Sequence, residues 1–376
     1  MNALSSRFRH FDWILSISVL PVVVAGLVTF TSFGAESYFF SRQIIWIIIA
    51  IIVFLIASFI DWRFLRNSNI VMSFYLLTVF LLITLLAFGS VFQGAQSWFS
   101  FGIFAVQPVD IAKLILAVTL SKYFSRRHIE IAYFRHIAVS GLYCLLLMLL
   151  VLAQPDFGSG VIIFLVWLGM VIVSGIEIKH LALVLGVGLT IFTLLWFFIF
   201  VPYQKERILT FLDPERDIRG SGYNAFQSVI AVGSGGVYGK GVGYGTQSRL
   251  EYLPEYETDF VFAAFAEEWG FVGVTILFIF FGMIVWRVLA GAVVGSTNFE
   301  LFFGVGVAII LMAHFTINVG MNIGLLPVTG VTMPFMSYGG SHLVAEFFGL
   351  GMVNGMRRYS KAAHSEVTDH ELLGPA

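Results

Sequence analysis

The sequence predicts an all-α polytopic membrane protein with ten transmembrane helices and a large extracytoplasmic loop between spans 7 and 8. Three observations predict it. The 376 residues are 59% hydrophobic and only 11% charged, whereas about a quarter of a water-soluble domain is charged, and the mean hydropathy is +0.92. Ten apolar runs are long enough to cross about 30 Å of hydrocarbon: 11–32, 41–60, 70–89, 108–124, 135–153, 157–175, 180–201, 260–286, 299–323 and 333–357. One connection, 202–259, breaks the pattern with six of the 21 Lys and Arg, eight of the 22 Asp and Glu, and nine glycines.

The first run follows Arg7 and Arg9 and ends without a small-residue cleavage site, so it reads as a retained span and not a signal peptide. Alternating the loops places Arg7, Arg9, Arg63, Arg66, Lys122, Arg126, Arg127, Arg135, Lys179, Arg287, Arg357, Arg358 and Lys361 on one face, against only Arg42 in the short loops of the other. The positive-inside rule then puts both termini in the cytoplasm. Spans 4 and 6 are short and start at proline motifs. In the outer loop, Tyr223, Phe226, Val229 and Ile230 recur at helical spacing, which predicts a short amphipathic helix at the outer interface. The rest, through Tyr252, is glycine-rich backbone, tolerated at membrane depth only when buried in protein or lining a wet cavity. Residues 1–362 are expected to form the membrane domain and 363–376 a disordered cytoplasmic tail.

A net charge of −1 gives no field that would recruit nucleic acid. The single cysteine, Cys144, allows neither an intramolecular disulfide nor a thiolate cluster. His314, His342 and Glu346 do not share a metal-ligand spacing on one face, so no zinc site follows. No tandem or inverted repeat is visible, which weakens a secondary-transporter reading.

The strongest chemical signal is the stretch from Leu253 to Phe260, where Glu255, Glu257 and Asp259 meet the membrane surface. A carboxylate at the first turn of a span is stabilised by the helix N-terminus, and beside a low-dielectric wall its pKa moves easily toward that of a general base. The alternative is that Thr258 or Asp259 only caps the helix. Glu267 and Glu268 lie two turns deeper, where a carboxylate marks a functional site by default. They point about 100° apart, so one is expected to act or bind a cation while the other pairs structurally. Asp110 and Lys113 stand at i,i+3, an internal ion pair unless Lys113 faces a cavity and binds phosphate. Asp156, after Gln154-Pro155, reads as a cap or an acid. The run Gly239 to Gly245 resembles a dinucleotide fingerprint only superficially, since no strand precedes it. Its glycines suit close backbone approach, with Lys240 in an anion nest. Asn318, Asn322 and Ser337 to Ser341 suggest helix packing and interhelical hydrogen bonds.

These segments, taken in order, resemble the SEDS family (shape, elongation, division and sporulation) of peptidoglycan polymerases, most closely its RodA branch. The resemblance rests on Gly94-Ala95-Gln96-Ser97-Trp98, Gln107-Pro108, Gln154-Pro155-Asp156-Phe157-Gly158, Phe211-Leu212-Asp213-Pro214, Gly245-Thr246-Gln247-Ser248, Leu253-Pro254-Glu255, Thr258-Asp259-Phe260, Glu267-Glu268, Pro327-Val328-Thr329-Gly330 and Ser337-Tyr338-Gly339-Gly340-Ser341. It implies a ten-span bundle that polymerises lipid II into glycan strands during elongation, with Asp259 catalytic. It departs from the family at Ser97, where a basic residue is usual, at Val109-Asp110, where Ser-Glu is usual, and at Ser159, where Thr is common. Candidate substrate-binding residues are Lys113, Lys240, Trp98, Glu255, Asp156, Glu267 and Ser337. Joining a lipid-pyrophosphate-linked sugar to a 4-hydroxyl needs a base and a countercharge for the pyrophosphate: a lysine, or a divalent cation (magnesium or manganese) held by acidic residues. The resemblance implies a class B penicillin-binding transpeptidase as partner and the bacterial inner membrane as location. Flipping of lipid II, or scaffolding without chemistry, are the competing readings.

Overall fold

The computed structural model describes residues 11–31, 38–92, 95–101, 104–126, 134–198, 200, 202–213, 221–250, 252–253 and 255–373. Arg7, Arg9 and Arg127, used above for sidedness, lie outside the described residues, as do 374–376 of the expected tail. Ten long helices overlap the ten apolar runs: α1 (Trp13–Thr31), α2 (Tyr38–Phe59), α3 (Ser68–Phe88), α4 (Pro108–Ser125), α5 (Phe134–Leu152), α6 (Phe157–Val173), α7 (Ile178–Phe198), α11 (Val261–Val293), α12 (Asn298–Asn322) and α13 (Gly340–Leu373). Three short helices, α8 (Pro202–Leu212), α9 (Ser221–Ser234) and α10 (Thr246–Arg249), belong to the long connection. Among the described residues seven helices are long and apolar enough to cross a membrane. The other three are α4, which carries Asp110, Lys113 and Lys122, α6, which has 17 residues, and α13, whose second half is polar.

Local chemistry sets the helix ends. Asn67 caps α3 by accepting from the Asn69 amide, and Asp156 caps α6 by accepting from Ser159 N at 3.0 Å. Pro108 opens α4, where its missing N–H costs nothing. The centre of the bundle is α12, packed against α4, α6 and α11 and buried along most of its length. At the periphery α7 buries none of its side chains. At one end Asp12 is clamped by Arg287 (2.7 Å) and Arg357, while Glu300 receives Arg66 (2.6 Å) and the Tyr359 hydroxyl (2.7 Å).

Two features depart from the sequence reading. Between α3 and α4 lies a three-stranded antiparallel sheet, β1 (Ser90–Phe92), β2 (Ala95–Phe101) and β3 (Phe104–Val106), with Ser90 opposite Trp98 and Phe99 opposite Val106. Aromatic residues alternating with Ser and Gln favour this pleated surface, and β2 turns Ser97 inward. The second departure is α13, which continues to Leu373 through residues expected as tail, because no glycine or proline interrupts the chain between Gly355 and Gly374.

Candidate active site

Asp259 sits in the turn just before α11, outside the membrane span, and the bundle grips its backbone from two sides. From α12, Asn318 and Asn322 each donate a side-chain N–H to its carbonyl oxygen at 3.0 Å. Asn322 is fixed in turn, since its side-chain oxygen accepts from the Ala263 amide (3.1 Å) and from the Ser228 hydroxyl of α9 (3.2 Å). From the segment before α13, the Ser337 hydroxyl donates to the Thr258 carbonyl at 2.6 Å and the Tyr338 amide donates to the Glu257 carbonyl at 2.7 Å. Ser337 also accepts from the Met333 amide at 2.8 Å, so its hydroxyl positions the residue before Asp259.

The Asp259 carboxylate is half-buried. Burial raises its pKa to about 7; the charges of Glu255 and Glu257 add to the rise, and Arg207 of α8 and the Thr258 hydroxyl oppose it. Gly330 packs against this carboxylate, with room for a Cβ only at 3.5 Å from Oδ2, and its φ of +72° suits glycine. A narrow cavity next to it is lined by Arg207, Gln204, Phe157 and Pro327 to Thr329.

Lys113 and Asp110 form the expected ion pair, at 3.1 Å and buried. Three residues from other helices join them: His314 on α12, and His342 and Glu346 on α13. This cluster and the Asp259 turn share one strip of backbone. Asn318 and His314 hold the carbonyls of Val331 and Thr332, Glu346 accepts from the Phe335 amide at 2.9 Å, and Ser337 reaches Thr258.

Glu267 and Lys240 form a separate group. The Glu267 carboxylate is fully buried and accepts from Lys240 Nζ (2.7 Å), the Thr246 amide (2.8 Å) and hydroxyl (3.1 Å), and the Gln247 amide (3.1 Å). The glycine run approaches α11 itself. At Gly270 (φ 62°) the helix opens, the amides of Lys240 and Gly241 donate to the carbonyls of Glu267 and Glu268, and those of Phe271 and Val272 donate to Gly236 and Val237. A Cβ on Gly239 would stand 2.0 Å from the Glu268 carbonyl oxygen, so only glycine allows this contact.

The Asp156 carboxylate caps α6 and receives the Gln107 side-chain amide at 3.3 Å. Trp98 is half-buried on β2, and Glu255 lies in the Asp259 turn. Of the sequence candidates, Asp259, Glu255 and Ser337 are brought together, Lys113 is joined to them through the 331–338 strip, and Lys240 and Glu267 hold each other. The sequence assigns Asn318 and Asn322 helix packing and interhelical hydrogen bonds but not their role in positioning Asp259; their i,i+4 spacing on one helix face was the available signal.

The Asp259 turn lies at the mouth of a bundle with known relatives. The chain is 33% identical over 359 residues to the peptidoglycan glycosyltransferase MrdB of Escherichia coli strain K12, covering 95% of this chain and 96% of that one. It is 34% identical to the stage V sporulation protein E of Bacillus subtilis strain 168, covering 93% and 98%. Among solved structures, a chain from a peptidoglycan synthase complex that coordinates polymerization and crosslinking superposes with a TM-score of 0.79 at 30% identity, covering 93% of this chain and 98% of that one. The rod shape determining protein RodA of Thermus thermophilus matches with a TM-score of 0.70 at 29% identity, covering 93% and 97%. The family model FtsW/RodA/SpoVE, described as cell cycle protein, matches residues 7–362, and the chain belongs to that family.

Proposed function

We propose that this chain is a peptidoglycan glycosyltransferase of cell elongation that polymerises lipid II by inverting direct displacement, with Asp259 as general base. One observation carries the residue assignment: a carboxylate at the mouth of the bundle, its backbone fixed by Asn318 and Asn322 and its pKa raised to about 7. A base poised there is ionised in a large fraction of molecules at neutral pH and still basic enough to take a proton. Asp259 accepts the proton of the acceptor sugar's 4-hydroxyl as that oxygen bonds to the donor's anomeric carbon. The bond from that carbon to the pyrophosphate oxygen breaks, and the pyrophosphate leaves with its lipid. The anomeric centre inverts, and no covalent enzyme intermediate forms. A well-placed general base contributes about 10²–10⁴-fold.

Lys113, which lines a buried cavity, is the candidate to meet the pyrophosphate charge. Among the described residues no three His, Cys, Asp or Glu side chains gather as a metal site. Magnesium or manganese would therefore need oxygens of the substrate's pyrophosphate beside Asp259 or Glu255. The protein is a multi-pass protein of the bacterial inner membrane, and the concentration of basic residues on one face supports cytoplasmic termini. The likeness to a chain of a synthase complex supports a class B penicillin-binding transpeptidase as partner.

The test is glycan-strand formation from labelled lipid II by the purified protein, with and without its cognate transpeptidase, comparing wild type with Asp259→Asn. Polymer from wild type and none from a folded Asp259→Asn supports the reading. Transbilayer movement of lipid II without polymer replaces it with a flippase, and neither activity with partner binding intact replaces it with a scaffold.

A further inference from the structure

Asp110, Lys113, His314, His342 and Glu346 come from three helices and meet inside the bundle, each less than a tenth exposed. Their partners fix their protons. His314 Nδ1 lies 3.2 Å from the Thr332 carbonyl oxygen, which only accepts, so Nδ1 carries the hydrogen and Nε2 accepts from Lys113 Nζ at 3.2 Å. His342 has a carboxylate oxygen at each ring nitrogen, Asp110 Oδ1 at 3.2 Å from Nδ1 and Glu346 Oε1 at 3.0 Å from Nε2. The second pair stands within ion-pair distance without forming a hydrogen bond. Either neutral tautomer would set a bare ring nitrogen against a carboxylate oxygen, so the arrangement favours the imidazolium.

The five groups are then neutral together, with Asp110 and Glu346 against Lys113 and His342 around a neutral His314. That balance is what allows them to be buried. Within it, Asp110 is divided. Its Oδ1 faces both Lys113 Nζ (3.1 Å) and His342 Nδ1 (3.2 Å), and its Oδ2 has no hydrogen-bond partner. An ammonium has three donors, and beyond Asp110 and His314 Lys113 keeps one. It lines a cavity of about 20 Å³, lined also by Leu114, Leu311 and Gly349 and large enough for a water molecule.

We infer that His342, balanced by Glu346, is a positioning residue for the proposed transfer: its imidazolium shares the charge of Asp110 with Lys113, so that Lys113 is only partly neutralised and keeps one N–H donor for an anionic substrate group. The inference rests on the polymerase reading. Without the imidazolium, Asp110 closes on Lys113 alone and Glu346 is left uncompensated. The strip 331–338 ties this cluster to the Asp259 turn, so the two halves of the site share one run of backbone.

The test uses the purified full chain with its partner, labelled lipid II, and variants His342→Gln and His342→Lys, with thermal unfolding in detergent to check folding. Gln approximates the ring's size and polarity and drops the charge; Lys keeps the charge and alters the shape. The charge role ranks Lys above Gln in turnover, with His342→Gln at least about tenfold below wild type. If the Lys variant fails to fold, His342→Arg, which also keeps the charge, takes its place in the ranking. His342→Gln equal to or above His342→Lys, or within twofold of wild type, overturns the inference and leaves the polymerase reading standing. Wild type that makes no polymer with its partner overturns both.

Discussion

Asp259 and Glu267 stand eight residues apart at the same end of α11, and the chain treats them in opposite ways. Around Glu267 it converges donors on the carboxylate: Lys240, the Thr246 amide and hydroxyl, and the Gln247 amide. Around Asp259 it spends its donors on the backbone carbonyl and leaves the carboxylate beside two other acids, with a pKa raised to about 7. A buried carboxylate saturated with donors is a staple, since its ionised form is stabilised where it lies. One whose backbone is fixed while its charge is disfavoured is ready to take a proton. The difference lies in what is held, the side chain or the main chain.

The largest effect that tests this contrast is Asp259→Asn, expected to lower polymer formation by about 10²–10⁴-fold. A carboxyl raised above its unfolded value destabilises the fold as pH rises from about 4 through 7, so the Asn variant is expected to be no less stable than wild type at pH 8. Thermal unfolding in detergent at pH 8 checks this, and a large loss of stability would make Asp259 a staple after all. Next is Glu267→Ala, which leaves Lys240 without its buried partner and is expected to cost about 3–5 kcal/mol. Trypsin should then cut at Lys240 and Arg249 in the loosened loop well before it cuts the wild type. A Glu267→Ala protein that stays protected yet makes no polymer would move Glu267 to the chemical side of the comparison.

How far the sequence reaches follows from which contacts are local. The long helices, the amphipathic helix at Tyr223 to Ile230 and the Asp110–Lys113 pair all depend on spacing along the chain and appear near where spacing puts them, except that α13 begins at Gly340 and runs on to Leu373. The sheet at 90–106 was missed because short aromatic strands do not differ by periodicity from an irregular loop. The glycine run reads as backbone suited to close approach, and it does approach closely, but its partner is the opened turn of α11 at Gly270, and Lys240 meets the Glu267 carboxylate. The gathering of His314, His342 and Glu346 around Lys113 joins three helices, and no pattern within one helix foretells it. Asp259 is singled out by its place at the first turn of the span and by family resemblance, while its grip by Asn318, Asn322 and Ser337 needed the fold.

A smaller effect sharpens the acid side of the comparison. If Asp259 is the base, turnover rises with pH as its carboxyl loses a proton, with a midpoint near its pKa of about 7. The Glu255 charge contributes to that rise, second only to burial. Glu255→Gln removes it and should lower the midpoint, so the variant gains on wild type below pH 7 and matches it above. A pH–rate profile of both proteins checks the sign, and an unmoved midpoint would assign the acid limb to another group.

The smallest expected effect concerns Asp156, which resembles Glu267 in how its oxygens are used. Oδ1 accepts from the Ser159 amide and Oδ2 from Gln107, so the carboxylate closes the first turn of α6 and ties it to the start of α4. Asp156→Ala should cost about 1 kcal/mol of stability, the ordinary loss of a helix cap. Asn caps about as well as Asp, so Asp156→Asn should restore most of that loss and leave polymer formation close to wild type. Paired measurements of thermal unfolding and turnover on both variants test this. If Asp156→Asn is as stable as wild type and yet loses polymer formation tenfold or more, the negative charge serves the reaction, and Asp156 belongs with Asp259 and not with Glu267.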